Sequence, residues 1–130
     1  MSHMQAVQAI YEAFSKGDIP AIMERLHPEV EWEHDTTPHG IPWIAPRRGR
    51  VEVAQFFEAL SALEFHVFEP ISLLEGAGQV AGIIRLEATY RPTGKRIKDL
   101  EAHLFRFDQS GRVTHFRHFV DTHQHLLATR

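Results

Sequence analysis

The chain has no cysteine among its 130 residues, which excludes disulfide bonds, thiolate catalysis and zinc–thiolate sites. No apolar run approaches the roughly 20 residues that span a bilayer, and the N-terminus lacks the basic-then-apolar layout of a signal peptide. We therefore expect a cytoplasmic protein that does not enter a membrane. The chain also has no long basic run, and its formal net charge is -3. Nucleic-acid binding, which needs clustered Lys and Arg to neutralise phosphates, is not expected.

A length of 130 residues suits a single domain, residues 1–130, with one hydrophobic core. Hydrophobic residues make up 43% and charged residues 24%, which is ordinary for a globular protein. The unusual feature is a set of ten histidines. A histidine taken at random is often exposed, so the useful question is whether some of them converge.

Apolar residues at helical spacing predict three helices, over residues 5–16, 19–26 and 50–63. A short strand in which Val30, Trp32 and His34 alternate with Glu31 and Glu33 lies between the second and third helices, and a loop rich in proline and glycine follows it. After residue 64 the apolar residues alternate instead, and turn sequences separate four predicted strands, at about 65–75, 79–91, 95–107 and 112–121. A short helical tail ends the chain. Helices followed by a meander of strands are typical of an α+β fold.

Turn lengths predict which strand residues share a face of the sheet. A three-residue Pro92-Thr93-Gly94 turn would place Arg85 opposite Glu101. A two-residue turn at Ser110-Gly111 would place His103 opposite His118, whereas a four-residue turn would oppose Glu101 and His118. With either second turn, one face carries the same polar residues: Arg85, Glu87, Glu101, His103 and His118.

This polar face has two interpretations. It is the solvent face if the helices cover the opposite face, which would carry Ile84, Leu86, Leu100 and Leu104. However, the polar face also carries several large apolar groups, including Ile83, Phe105, Phe107, Phe116 and Val120. We therefore favour helices that cover this face and leave a pocket at its charged end. The opposite apolar face then predicts a homodimer formed sheet to sheet.

Two long segments resemble the SnoaL-like and limonene-epoxide-hydrolase-like branches of the NTF2-like superfamily, which also contains the ketosteroid isomerases. The segments are VQAIYEAFSKGDIPAIMERLHPEVEWE near the start and LEAHLFRFDQSGRVTHFRHFVD near the end. The resemblance covers nearly the whole chain. It implies a cone-like NTF2/cystatin-like fold, in which N-terminal helices pack on a curved, mostly antiparallel sheet that encloses a pocket.

The resemblance also assigns roles position by position. His103 matches the pocket histidine of the SnoaL-like polyketide cyclases, and His118 stands where those proteins carry a catalytic aspartate. Arg85-Leu86-Glu87 is similar to the Arg-x-Asp pair of the epoxide hydrolases, with Glu in place of Asp. Trp32 and His34 fall where those hydrolases carry the Tyr-x-Asn that orients a water molecule.

The residue types in this pattern indicate acid–base chemistry. An unperturbed imidazole titrates near pH 6.5, so His118 and His103 can exchange protons at neutral pH, although each could instead be a hydrogen-bonded core residue. We expect His118 to move the proton, with His103 as its partner and Glu87, held by Arg85, as a base. Arg85 could instead bind an anionic group or an enolate oxygen. The expected substrate-binding residues are Arg85, Glu101, His34, Trp32, Tyr11, Phe14, Trp43, Phe57, Phe105 and Phe116, of which the aromatic members would also suit core packing.

His34, His103 and His118 with Glu87 or Glu101 are of the type that binds zinc or iron, but no close-spaced ligand motif accompanies them, and we expect neither a metal nor a cofactor. The expected function is cofactor-free proton transfer on a small, mostly apolar, carbonyl-bearing molecule, in an isomerase, cyclase, dehydratase or hydrolase reaction. Two alternatives stay open: a non-catalytic module that binds a small ligand, and an association domain that acts through its outer sheet face.

Overall fold

The computed structural model describes all residues, 1–130, as four helices and a six-stranded sheet. The helices are α1 (His3–Ser15), α2 (Ile19–Glu24), α3 (Gly49–Leu60) and α4 (Thr122–Ala128), with a 3₁₀ turn at Pro42–Ile44. The strands are β1 (Leu26–Trp32), β2 (Arg47–Arg48), β3 (Leu63–Gly76), β4 (Gln79–Tyr90), β5 (Lys95–Phe107) and β6 (Val113–Phe119). The predicted α+β arrangement is confirmed. None of the four helices has the length and apolar character that crossing a membrane requires.

The strands form one curved, open sheet in the order β2-β1-β6-β5-β4-β3. Every neighbouring pair is antiparallel except β1 and β6, which run parallel. The chain reaches this parallel pairing by placing α3 and the β3–β5 meander between the two strands. The sheet is therefore mostly antiparallel, as predicted, and the helices cover its concave side.

Helix α1 begins two residues before its predicted start because Ser2 caps it. The Ser2 hydroxyl accepts a hydrogen bond from the Gln5 backbone N–H (3.1 Å), and the Gln5 side chain accepts one from the Ser2 N–H (2.9 Å). This reciprocal pair satisfies two amides that the first turn would leave free. Val7 and Ile10 then lie one turn apart and are buried against the sheet.

The β4–β5 hairpin differs by one residue from the predicted register. Tyr90 pairs with Lys95, so the turn holds four residues rather than three, and Gly94 closes it with φ +72° and an N–H that donates to the Tyr90 carbonyl (2.8 Å). A shift of one residue turns every side chain of a strand to the other face. The prediction that Arg85 and Glu87 share a face with Glu101 is therefore wrong.

The interior positions of β4 are instead apolar. Ile84 lies opposite Glu101 and is fully buried, and Leu86 is buried beside it. Both residues were predicted for the outer face. The same flip places Arg85 and Glu87 on that outer face, where they pair with charged neighbours.

The β5–β6 hairpin has the register that a two-residue turn predicted, with His103 opposite His118 and Phe105 opposite Phe116. The turn itself is longer than predicted. Its Asp108 carboxylate accepts hydrogen bonds from the backbone N–H groups of Ser110 (2.8 Å) and Arg112 (3.1 Å), and a register shift after Arg106 absorbs the extra residue. This hairpin places two histidines side by side on the concave face.

Candidate functional site

A cavity lies between the helices and the concave face of the sheet. Of the 20 residues that line it, 16 are hydrophobic, and these include Phe14, Trp32, Phe57, Phe105 and Phe116. The four exceptions lie together and form one polar cluster: Glu101, His103, His118 and His125. The site is thus an apolar, largely aromatic chamber with its polar groups concentrated in one place.

Ten of the thirteen residues predicted for the site line this cavity: His118, His103, Glu101, Trp32, Tyr11, Phe14, Trp43, Phe57, Phe105 and Phe116. Arg85, Glu87 and His34 do not. Arg85 pairs with Glu69 on the outer face (3.5 Å), and Glu87 pairs there with Arg96 (3.5 Å).

His34 leaves the cavity because the chain bends just before it. Residue 33 has φ +59°, which interrupts the alternation that the sequence predicted for Val30, Trp32 and His34. The His34 ring packs edge-on against His115 (5.0 Å between ring centroids), on the other side of the sheet. The prediction that His34 lines the pocket is wrong for this reason.

The same bend turns the Glu33 side chain into the protein interior. Strand alternation had placed Glu33 on the opposite face from Trp32. Glu33 is fully buried, and its carboxylate accepts hydrogen bonds from the His118 backbone N–H (3.1 and 3.2 Å) and from the His118 Nδ1–H. Sequence reasoning missed Glu33, since no pattern marks a glutamate that takes a left-handed conformation. Its partner, His118, was predicted.

His118 is the one histidine of the cluster with a ring nitrogen that has no protein partner. Its Nδ1 is bonded to Glu33, which leaves Nε2 free beside the cavity. Burial alone would lower the pKa of His118, but the charge and hydrogen bond of Glu33, with the charge of Glu101, outweigh burial and raise it. The ring is therefore held in its protonated form above pH 6.5, and its Nε2–H is available to a ligand.

His103 is bonded at both ring nitrogens. The Tyr11 hydroxyl lies 3.0 Å from Nδ1, and Glu101 Oε1 lies 2.8 Å from Nε2. Burial works to raise the pKa of Glu101, but the hydrogen bond from His103 and the charges of the nearby histidines lower it overall. Glu101 is then an ionised acceptor, so Nε2 carries the proton and Nδ1 accepts from Tyr11.

Tyr11 and His103, which are hydrogen-bonded in series to the ionised Glu101, are both neutral. Burial lowers the pKa of His103, and its bond to Glu101 offsets this only in part. Burial and the charge of Glu101 raise the pKa of the Tyr11 hydroxyl. Tyr11, His103 and Glu101 therefore form a directed chain of hydrogen bonds that ends on a carboxylate.

His125, on α4, is also bonded at both nitrogens, and sequence reasoning did not single it out. The Trp43 indole N–H donates to Nδ1 (3.0 Å), so the proton sits on Nε2, which donates to Asp99 Oδ2 (2.8 Å). This pair ties the C-terminal helix to β5. It also brings His125 Nε2 within 3.8 Å of Glu101 Oε2, beyond hydrogen-bonding distance.

Two sets of side chains in the cluster have ligand atoms close enough to share a metal ion. Glu101, His103 and His118 form one set, and Asp99, Glu101 and His125 form the other, with the atoms of each within 4.8 Å of one another. In both sets a carboxylate–imidazole hydrogen bond of 2.8 Å accounts for the closest approach. Each set thus already contains one carboxylate–imidazole hydrogen bond.

Gly82 makes room for the Tyr11 hydroxyl, a role that sequence reasoning also missed. It lies opposite His103 on β4, and a Cβ there would overlap the Tyr11 hydroxyl and lie 3.2 Å from two carbons of the ring. Its φ is not in the left-handed region, so the need is for space rather than for backbone freedom.

Replacing Gly82 by alanine is expected to push the Tyr11 hydroxyl away from His103, because the added methyl group and the hydroxyl cannot occupy the same space. His103 then loses the donor to Nδ1, while Glu101 still holds the proton on Nε2. We expect long-range ¹⁵N–¹H NMR to show the Nε2–H tautomer in both proteins, with the Nδ1 resonance of Gly82→Ala shifted to that of an imidazole nitrogen that accepts no hydrogen bond. Gly76→Ala is the matched control, since a Cβ at Gly76 meets no atom within 4 Å. An unchanged His103 spectrum in Gly82→Ala would contradict this role.

The family model for the SnoaL-like domain matches residues 7–116. An NTF2-like protein from Burkholderia thailandensis is 30% identical, with a TM-score of 0.85 over 100% of this chain and 98% of that one. No curated protein matches the chain.

Two more distant solved structures share the fold. A Mesorhizobium loti protein named as a SnoaL-like polyketide cyclase is 19% identical, with a TM-score of 0.73 over 92% of this chain and 99% of that one. TerC, co-crystallised with polyporic acid, is 22% identical, with a TM-score of 0.77 over 96% and 98%. At these identities the likeness concerns the fold alone.

Proposed function

The chain belongs to the SnoaL-like family, and we propose that it is a cofactor-free enzyme that transfers protons on a small, mostly apolar, carbonyl-bearing substrate. The family and the NTF2-like fold were predicted from the sequence, and the family match and the 30% identical relative confirm both. The proposed reaction is an isomerisation, a cyclisation, a dehydration or a hydrolysis.

The observation that carries this proposal is the state of His118. A ring with one nitrogen fixed by a buried carboxylate and the other free is the arrangement that a general acid or base requires. The raised pKa of His118 favours the acid role near neutral pH. In an apolar cavity, an N–H aimed at a carbonyl oxygen acts in a low dielectric, where it stabilises a developing negative charge more strongly than in water.

The remaining polar groups support His118 rather than duplicate it. His103 has no free ring nitrogen, so we assign it a positioning role on Glu101 in place of the proton-transfer role that the sequence suggested. Glu87 lies on the outer face and has no access to the cavity, so Glu101 takes the place expected for the carboxylate base.

The proposal is tested by following α-proton exchange of small ketones in D₂O. The probe is 2-tetralone, an aromatic ketone whose α-proton signals can be followed by ¹H NMR, used in a panel of similar ketones. The protein is expected to accelerate exchange by at least about 100-fold over buffer, the lower end for a positioned acid or base. Ketones that bind without faster exchange would refute the enzymatic proposal.

Ketone binding without faster exchange would favour a non-catalytic module that holds a small ligand in the same cavity. The specific observation behind this alternative is the chamber itself, in which 16 of 20 lining residues are hydrophobic. A structural neighbour, TerC, was co-crystallised with polyporic acid. Calorimetric binding with no exchange is the signature of this role.

We also propose that two copies of the chain associate through the outer face of the sheet. Leu100 and Phe119 lie on this face with 63% and 47% of their surface exposed, and Leu74 of β3 adds a third exposed apolar side chain (58%). Burying such groups against a second copy would remove them from water. Sedimentation velocity should give a dimer, and Leu100→Glu should give a monomer. A monomeric unmodified chain would remove the proposal.

A further inference from the structure

Two side chains in the cavity wall each leave a polar atom without a hydrogen-bond partner. They are Trp32, whose Nε1 is unpartnered, and Glu101, whose Oε2 is unpartnered. Both residues are at least nine-tenths buried, with 4% and 5% of their surface exposed. Buried polar groups are nearly always satisfied, because leaving one unpaired is costly, so each exception calls for an explanation.

The two atoms are of opposite kinds. An indole N–H can only donate a hydrogen bond, and an ionised carboxylate oxygen can only accept one. The pKa of Glu101 is lowered, so its carboxylate is ionised at neutral pH. Besides the Nε2–H of His118, the cavity therefore offers one further donor and one acceptor.

Neighbouring groups keep both atoms from finding a partner within the protein. The Trp32 ring is stacked on Phe116, with 4.1 Å between centroids and 24° between planes, and it also packs against Phe56 (5.2 Å). These two neighbours are hydrocarbon rings, which carry no oxygen or nitrogen acceptor for the indole N–H.

Glu101 is held in a similar way. Its Oε1 is taken by His103, and the imidazole nearest to Oε2, that of His125, donates to Asp99 instead. Because Tyr11 and Trp43 fix the tautomers of these two histidines, neither ring can turn its proton toward Oε2 without losing an existing bond. The hydrogen-bond network thus leaves Glu101 Oε2 as an acceptor without a donor.

We propose that a substrate engages both unpartnered atoms, and that it is a neutral hydroxy ketone: its carbonyl oxygen accepts from Trp32 Nε1–H on one lone pair and from His118 Nε2–H on the other, and its hydroxyl donates to Glu101 Oε2. This rests on the proposed function in placing the substrate in this cavity. The hydrogen-bonding capacities select one acceptor and one donor, and the aromatic wall selects an apolar frame around them.

The apolar lining selects a neutral molecule, because a charged ligand would lose its hydration among side chains of which 16 of 20 are hydrophobic. The ionised Glu101 carboxylate further disfavours an anionic group beside Oε2. The charge of the His118 ring is already paired with Glu33. A hydroxyl meets Oε2 without bringing a further charge into the cavity.

A matched set of probes tests the inference on the unmodified protein. The parent probe is 3-hydroxy-1-phenylbutan-1-one. Its 3-methoxy ether keeps the oxygen but loses the donor, and 4-phenylbutan-2-ol keeps the hydroxyl but loses the carbonyl. We expect titration calorimetry to give the parent about tenfold tighter binding than either analogue, the loss typical of one unpaired buried group. An ether or an alcohol that binds as tightly as the parent overturns the proposal.

Two variants assign the contacts. Glu101→Gln presents an amide N–H₂ where Oε2 stood, if the amide oxygen keeps the bond from His103, so the preference for hydroxyl over methoxy should disappear. Trp32→Phe should reduce the preference for the ketone over the alcohol, because only the bond from His118 then remains at the carbonyl oxygen. Glu87→Gln, which changes a carboxylate on the outer face, should keep both preferences. A hydroxyl preference that survives Glu101→Gln, or a ketone preference unchanged in Trp32→Phe, with the fold intact by circular dichroism, also overturns the proposal.

These outcomes are separable from failure of the proposed function, because none requires turnover. If both binding preferences are found without α-proton exchange, the ligand class is supported and the proposed enzymatic function is refuted. If exchange is found without the preferences, the enzymatic function is supported and the hydroxy-ketone proposal is refuted. If a variant fails to fold, the comparison of the three probes on the unmodified protein still decides.

Discussion

Replacing His118 by alanine is expected to lower α-proton exchange by about 10²–10⁴-fold, the range that a positioned general acid or base contributes. The only free imidazole nitrogen in the cavity is lost, and His103 cannot substitute because Tyr11 and Glu101 occupy both of its nitrogens. Ligand affinity should change little, since the apolar wall remains. NMR exchange rates and calorimetric titrations on the same samples separate the two effects.

His123→Ala and Glu87→Gln are the matched controls for this experiment. His123 is exposed on α4, and Glu87 lies on the outer face, so both variants should exchange at the unmodified rate. The pH profile gives an independent check. Because the pKa of His118 is raised, the acid-dependent rate should persist above pH 6.5 and fall as pH rises through the raised value. Equal rates for His118→Ala and the unmodified protein would remove His118 from the mechanism.

The order of elements could be predicted from the sequence because apolar spacing and turn residues are local signals. The sequence left two β5–β6 registers open, and the observed one is that with His103 opposite His118. The β4–β5 register did not follow from the sequence. A glycine with positive φ at position 94 suits a turn of either three or four residues, and the packing of Ile84 and Leu86 in the core decides between them.

The candidate site was predictable to the extent that its residues obey strand alternation. His103, His118 and Glu101 do so, and the sequence placed all three on one face. Glu33 reaches the site only through a left-handed backbone conformation, and Gly82 matters for a side chain that it lacks. Long-range contacts of this kind leave no local pattern, so only the packed structure reveals them.

Three carboxylate–imidazole pairs lie at the site, and they are of two kinds: Glu101–His103 and Asp99–His125 are of one kind, and Glu33–His118 is of the other. His103 and His125 each have a second bond, from Tyr11 and Trp43, and both hydrogen bonds together fix the ring and its tautomer. His118 has a bond only to Glu33 on its ring. The doubly bonded rings hold carboxylates in place, and the singly bonded ring is left to react, which is why the proposed chemistry centres on one of three similar pairs.

Replacing Glu33 by alanine is expected to lower the free energy of unfolding by about 3–5 kcal/mol, the usual cost of removing one partner from a buried ion pair. The change strands the His118 imidazolium, of which only 9% of the side chain is exposed, and leaves the His118 backbone N–H without its acceptor. For a chain of this length the midpoint of thermal unfolding should fall by about 10–20 °C. Urea titration at several pH values measures the loss directly.

The dependence of this loss on pH distinguishes the ion pair from simple packing. The pKa of His118 is raised in the folded state, so its stabilisation is fully present below about pH 6.5 and is lost as pH rises through the folded value. The difference between the unmodified protein and Glu33→Gln, which keeps the shape but not the charge, should therefore shrink above that pH. The lowered pKa values of His103 and Glu101 act in both proteins and largely cancel. Glu31→Gln, at a half-buried neighbouring position whose carboxylate pairs with His115, should cost less than about 1 kcal/mol. A constant difference from pH 5.5 to pH 8.5 would mean that Glu33 serves only as a packed acceptor, and the assignment of His118 as a protonated acid would fall with it.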